Sequence, residues 1–205
     1  MKRFLPWWVL TACGLGLSGC ASSPVHYYTL MAPVQEIKAP TKPPLGFRLD
    51  ILPVSLPTQV DRQTLVVRQG ENGIVILDSE RWTTTFADEF RDALSDSLTR
   101  SLGTQDVAGL PRAKGDRVLR VKLQVRRLDA WLGQRVQLET EWTLAFVNDA
   151  TNKPLTCHAQ FDIAAPGSYP QLVGAQQRAI ALLAAGIAAD ARRYAESPGT
   201  PCVAP

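Results

Sequence analysis

Leu119-Arg120-Val121-Lys122-Leu123-Gln124-Val125, answered a turn later by Val136-Gln137-Leu138-Glu139 and Trp142-Thr143-Leu144-Ala145-Phe146, is the stretch that decides the fold. Apolar and polar side chains alternate through both halves, the period of strands with one buried and one wet face. With Leu132-Gly133 as a two-residue turn, Leu123 faces Trp142, Val121 faces Leu144 and Arg126 faces Glu139. Apolar then meets apolar and base meets acid, which supports an antiparallel pair in that register. Arg127-Leu128 interrupts the alternation, and a bulge there would shift the charged pair.

Working outward, Leu155, Cys157, Ala159, Phe161 and Ile163 alternate with polar residues and predict another strand, with Cys157 on the apolar side. After Pro166-Gly167 a helix is expected from about Ser168 to Tyr194, carrying Leu172, Gln176, Ile180, Leu183, Ile187, Ala191 and Tyr194 at spacings of three and four. Its alanines allow close approach to a sheet. Gly186, with Arg178 and Asp190 at the borders of the alanine run, marks a packed helix and not a membrane span.

Upstream, Phe86, Phe90, Leu94, Leu98 and Leu102 recur every four residues between Thr83 and Leu102, an amphipathic helix stopped by Gly103. Its acids lie early and Arg100 late, as the helix dipole favours. Leu65 to Arg68 and Ile74 to Leu77 flank Gly70-Glu71-Asn72-Gly73 and predict a hairpin. Phe47, Leu49 and Ile51 alternate with Arg48 and Asp50 in a half-buried strand ending at Pro53. His26 to Leu30 reads as a short first strand, and the prolines of residues 31–45 as a linker or surface loop. The expected fold is α+β: one mixed or antiparallel sheet with two helices packed on one face.

The first twenty residues carry a different signal. Lys2 and Arg3 precede an apolar run from Phe4 to Leu17, and Leu17-Ser18-Gly19-Cys20 matches the lipobox of bacterial lipoproteins. The run is too short for a comfortable membrane helix of about twenty residues and reads as a signal peptide. Three segments are therefore expected: a signal peptide over 1–19, a lipidated N-terminus with short strand and proline-rich linker over 20–45, and an α+β domain over 46–205. Diacylglycerol on Cys20 supplies more than one acyl chain, the condition for stable anchoring. Ala21-Ser22 after the cysteine, in place of Asp, favours the outer membrane and a periplasmic orientation. Only five residues separate Cys20 from His26, so the tether reaches no more than roughly 20 Å.

Removing the signal leaves 20 Lys plus Arg against 19 Asp plus Glu, a charge of about +1 that gives no support to nucleic-acid binding. It also leaves Cys157 and Cys202 as the cysteines without an assigned role. In an oxidising compartment they make a natural disulfide, with unpaired thiols or partners in another chain as the alternatives. The long helix outruns the preceding strand, so a tail folding back could bring Cys202 to Cys157.

No catalytic, metal-binding or cofactor motif is present: the chain lacks Gly-x-Ser-x-Gly, a phosphate-binding glycine loop with Lys, and His-Glu-x-x-His. His26 and His158 stand far apart in sequence, and Cys157 and its neighbour His158 point to opposite faces of one strand. More distinctive are Arg81-Trp82 before the first helix, Asp61-Arg62 before the hairpin and Trp131 at a hairpin tip. Trp82 can cap the core or serve an interface. Trp131 can pack a turn or meet a membrane or partner.

Taken in order, Tyr27-Tyr28-Thr29-Leu30, Val54-Ser55-Leu56-Pro57 leading to Asp61-Arg62, Val67-Arg68 and Arg81-Trp82 resemble the PqiC-type lipoproteins, also called ABC-type transport auxiliary lipoproteins. Thr83-Thr84-Thr85-Phe86 departs from the small residue, acid and Pro-Leu usual after that Arg-Trp pair, which puts the start of the first helix in question. The resemblance implies a non-enzymatic outer-membrane lipoprotein working with an MCE-domain protein whose periplasmic tunnel carries lipid between membranes. It also implies a docking role where the tunnel meets the outer membrane, with a homo-oligomeric ring as one arrangement.

Overall fold

The computed structural model describes residues 24–33, 45–111, 115–149, 151 and 153–203. The signal peptide, Cys20 and most of the proline-rich linker lie outside the described residues.

The elements run β1 (His26–Tyr28), β2 (Arg48–Ile51), β3 (Thr64–Gln69), β4 (Gly73–Trp82), α1 (Phe86–Leu102), β5 (Val118–Trp131), β6 (Arg135–Phe146), β7 (Leu155–Ala164) and α2 (Tyr169–Glu196). The class is α+β, but the strands form two mixed sheets and not one. The larger has the order β2-β5-β6-β7, with β2 parallel to β5 and the rest antiparallel. The smaller has the order β1-β4-β3, with β1 parallel to β4 and β3 antiparallel to it.

The register expected for β5 and β6 holds where their alternation is regular: Leu123 pairs with Trp142 and Val121 with Leu144. Between Val125 and Arg127 the ladder shifts, so Glu139 stands opposite Arg127 and not Arg126. The extra residue keeps Leu128 and Ala130 buried on the core face. Arg126 instead pairs with Glu141 at 3.0 Å. The turn correspondingly takes three residues, Leu132 to Gln134, because Trp131 pairs with Arg135, and Gly133 supplies the left-handed φ of 75°.

One face of the four-stranded sheet is apolar: Val121, Leu123, Leu138, Trp142, Leu144, Cys157 and Ala159 are buried there. Both helices belong to this core, α1 through Phe86, Phe90, Leu94, Leu98 and Leu102, and α2 through Leu172, Ile180, Leu183, Ile187 and Tyr194. The opposite face carries Lys122, Gln124, His158 and Gln160, all exposed.

Helix α1 starts at Phe86, the first member of its apolar period and three residues after Thr83, the outer bound expected for it. Thr85 is its N-cap and accepts from the Asp88 amide, while Thr83 donates to Glu89. At the other end Gly103 takes a left-handed φ of 64° and closes the helix on Thr99 O. Helix α2 begins after Ser168, whose amide donates to Gln171 Oε1 at 3.0 Å. By length and apolar content α2 could cross a membrane, but its buried stripe is packed in the core.

Asp50 differs from expectation. It is placed by alternation on a wet face, yet it is buried and pairs with Arg120 Nε at 2.8 Å. Parallel pairing of β2 with β5 puts it directly opposite that arginine.

Candidate functional site

Segments distant in the chain converge around the start of α1. Tyr27 stands opposite Arg81 and Tyr28 opposite Trp82 in the parallel β1–β4 ladder. Trp82 N donates to Gln63 O, and Asp61 Oδ1 accepts from the Ala87 amide at the helix start. Arg68 makes a two-pronged pair with the buried Asp129 of β5, at 2.7 and 3.3 Å. This ties the small sheet to the large one.

Two buried carboxylates hold β1 in place. Glu80, 6% exposed, accepts from Tyr28 Oη at 2.6 Å and lies 3.0 Å from His26 Nδ1. Glu89, 4% exposed, accepts from Thr29 Oγ1 and from the Leu30 amide, each at 2.8 Å, and from the Thr83 hydroxyl. Its place in the first turn of α1 sets it in the favourable end of the helix dipole. Burying a carboxylate is costly unless it is hydrogen-bonded, and these donors answer that cost.

Burial alone would push the Glu80 carboxyl up, but the bonds from Tyr28 and His26 outweigh it and hold the group below the ordinary carboxylate range. Burial, with the Glu80 carboxylate beside it, pushes the Tyr28 hydroxyl from 10.0 up to about 12. The signs follow from linkage. Glu80 titrates lower folded than unfolded, so its contribution is present above the unfolded value and is lost as pH falls through the folded one. Tyr28 titrates higher folded than unfolded, so its contribution is whole below 10.0 and is lost as pH climbs toward about 12. Tyr28→Phe should lower unfolding stability by about 1.5–3 kcal/mol, the range for a hydrogen bond to a charged group. It should also flatten the alkaline limb of the urea midpoint measured from about pH 9 to about pH 11.5. An alkaline limb unchanged in the variant would show that another group sets it.

The residues singled out from the sequence take different places. Trp82 is a core residue, 3% exposed, with its ring 5.0 Å from Phe86. Asp61 and Arg62 are exposed, and Arg81 is half-buried with Nε donating to Asp78 O. Trp131 is half-buried at the hairpin tip, donates to Gly70 O at 3.3 Å and lies under the Arg135 guanidinium. His26 belongs to the β1 joint and His158 to the polar face of β7. Cys157 and Cys202 form a disulfide, their Cα atoms 5.8 Å apart.

Sequence reasoning missed Glu80, Glu89 and Asp190. The last is buried on α2 under the disulfide, and burial pushes its carboxyl up despite bonds from the Val203 amide at 2.7 Å and Trp142 Nε1 at 3.2 Å. Those two bonds bring the tail back over β6, which seats Cys202 at Cys157. Asp190 and the two sulfurs lie close enough to suggest a metal site, but the sulfurs are bonded to each other and offer no thiolate.

The family profile of the ABC-type transport auxiliary lipoprotein component matches residues 28–188. This chain belongs to that family. As an auxiliary lipoprotein of ABC-type transport it has a transporter for a working partner and a place in the cell envelope. Among solved structures, an uncharacterised protein is similar at 18% identity with a TM-score of 0.64, covering 82% of this chain and 99% of its own. A protein from Xanthomonas campestris is similar at 15% identity with a TM-score of 0.59, covering 83% of this chain and 95% of its own. At these identities the likeness is one of fold. No curated protein is significantly similar in sequence. The span matched by the auxiliary lipoprotein family begins at Tyr28 and takes in β4 and α1, whereas His26 and Tyr27 precede it and Cys202 falls beyond it.

Proposed function

We propose that this auxiliary lipoprotein is a non-enzymatic subunit held in the outer membrane through lipid on Cys20, facing the periplasm. There it docks the tunnel of an MCE-domain protein and supports membrane integrity. Residues 1–19 are its signal peptide and 46–205 its docking domain. The observation that carries this reading is the fixing of β1 by Glu80 and Glu89. The strand just behind Cys20 is bonded into the domain, so the tether has no slack beyond its five residues and the fold stays near the bilayer. A docking element needs a rigid body at a fixed height, which this provides. Asp61, Arg62 and Arg81 are the exposed or half-buried candidates for the partner interface, Trp82 supports them from the core, and Trp131, at the β5–β6 hairpin tip, is a contact for partner or membrane. A homo-oligomeric ring suits a tubular partner.

Co-purification of the detergent-solubilised lipoprotein tests the reading. The expected result is capture of an MCE-domain protein, with capture weakened several-fold by Arg62→Glu and Arg81→Glu together. Repeated absence of that partner, with a different envelope machine captured instead, would make the chain a structural or assembly lipoprotein outside lipid flux.

A further inference from the structure

Strand β1 runs antiparallel to β3, because it is parallel to β4, their shared neighbour. Tyr27, Arg81 and Thr64 stand level across the small sheet. The chain ahead of β1 therefore comes from the end where β3 turns into β4. That end carries Ile74 and Ile76 of β4, 47% and 41% exposed, and Leu132 of the β5–β6 turn, 38% exposed. The two turns are joined by the bond from Trp131 Nε1 to Gly70 O, so these side chains belong to one pole of the molecule. Val25 and Tyr27, also exposed, lie on the path that leads to it.

Two lengths bound what this pole can meet. Thr64 to Gly70 spans six strand residues, about 20 Å at 3.3 Å each. Cys20 to Tyr27 spans seven residues, at most about 24 Å of extended chain. An anchor leaving along β1 can pass the tip of the pole by only about 4 Å, by difference of these two lengths. With acyl chains on Cys20 in the bilayer and a tether that continues the line of β1, the β3–β4 and β5–β6 turns would stand at the headgroups.

The geometry points to this pole as a second membrane contact: Ile74, Ile76 and Leu132 enter the lipid interface beside Trp131, and orient the domain upright on the anchor. The inference rests on lipidation of Cys20 and goes beyond it, since a lipid tether alone fixes distance but not orientation. Isoleucine and leucine gain by leaving water, and a tryptophan with one polar edge suits the headgroup level.

Trp131 is also a native reporter. The mature chain has three tryptophans, and Trp82 and Trp142 are buried. The full lipidated protein is reconstituted into phosphatidylethanolamine and phosphatidylglycerol vesicles with or without brominated acyl chains, which quench a nearby indole. Brominated vesicles should remove about a third of the emission, the share of one tryptophan in three at the interface. Trp131→Phe should abolish that loss. Ile74→Glu with Ile76→Glu should reduce it at least about twofold by pulling the pole from the lipid, while thermal unfolding stays near wild type because both sites are exposed. Vesicle-bound protein whose emission is indifferent to bromine overturns the inference, and a dimer found at the same time would assign the pole to a second copy. Protein that fails to float with vesicles overturns the anchor on Cys20 and the inference with it.

Discussion

Removing the disulfide, by Cys157→Ala with Cys202→Ala or by reduction, should lower unfolding stability by about 4 kcal/mol, the chain-entropy value for a loop of its size. The two cysteines are 45 residues apart. The bond closes almost all of β7, the following turn and α2 into one loop, so its loss frees much of the unfolded chain. For a domain of this size the melting temperature should fall by roughly 8–16 °C, taking about 2–4 °C per kcal/mol. Circular dichroism of the variant and of the reduced wild type, melted side by side, checks this. The native fold should persist, because Asp190 still holds Val203 and Trp142. A shift under about 1 kcal/mol would show that the unfolded loop is already constrained and that the entropic account fails here.

Trp82→Ala should cost about 3–5 kcal/mol, the range for a large aromatic cut from a packed core. Its ring is buried against Phe86, and a small gap already lies beside it among Val60, Leu128 and Ala130, so truncation enlarges an existing void. Arg81→Ala and Arg62→Ala should each stay within about 0.5 kcal/mol of wild type, as surface changes do. Urea unfolding of the three variants thus separates the Arg-Trp pair into a structural half and a half free to meet a partner. A Trp82→Ala protein of near wild-type stability would return Trp82 to the interface.

These expectations also show where the sequence was legible. Strands β5 and β6 announced their pairing because both alternate and sit one turn apart, and the break in alternation at Arg127-Leu128 flagged the bulge, which falls between Val125 and Arg127. The division into two sheets carried no such sign. Strands β1 and β2 are short and pair in parallel with partners more than fifty residues away, so nothing local marks them, and the shift between Thr64 and Leu65 sets β4 off from a regular ladder.

The buried acids were hidden for a related reason. Glu80 sits in a strand, where an acid reads as facing water. Glu89 and Asp190 were detectable in principle: each lies three residues past an apolar member of its helix's buried stripe, Phe86 and Ile187 respectively. An acid on that stripe needs donors, and the donors came from segments that sequence alone does not bring together. The disulfide was readable from cysteine arithmetic and compartment, but the tail path that makes it depends on Asp190.

The β1 joint also has a mechanical meaning. A pull on the anchor along β1, toward the pole, drags that strand lengthwise past β4, so its ladder bonds and the grips of Glu80 and Glu89 resist together. A sideways pull opens the same contacts one after another. The protein should therefore withstand tension directed straight at the membrane and yield to tension across it, which makes the direction of a partner's motion as consequential as its strength.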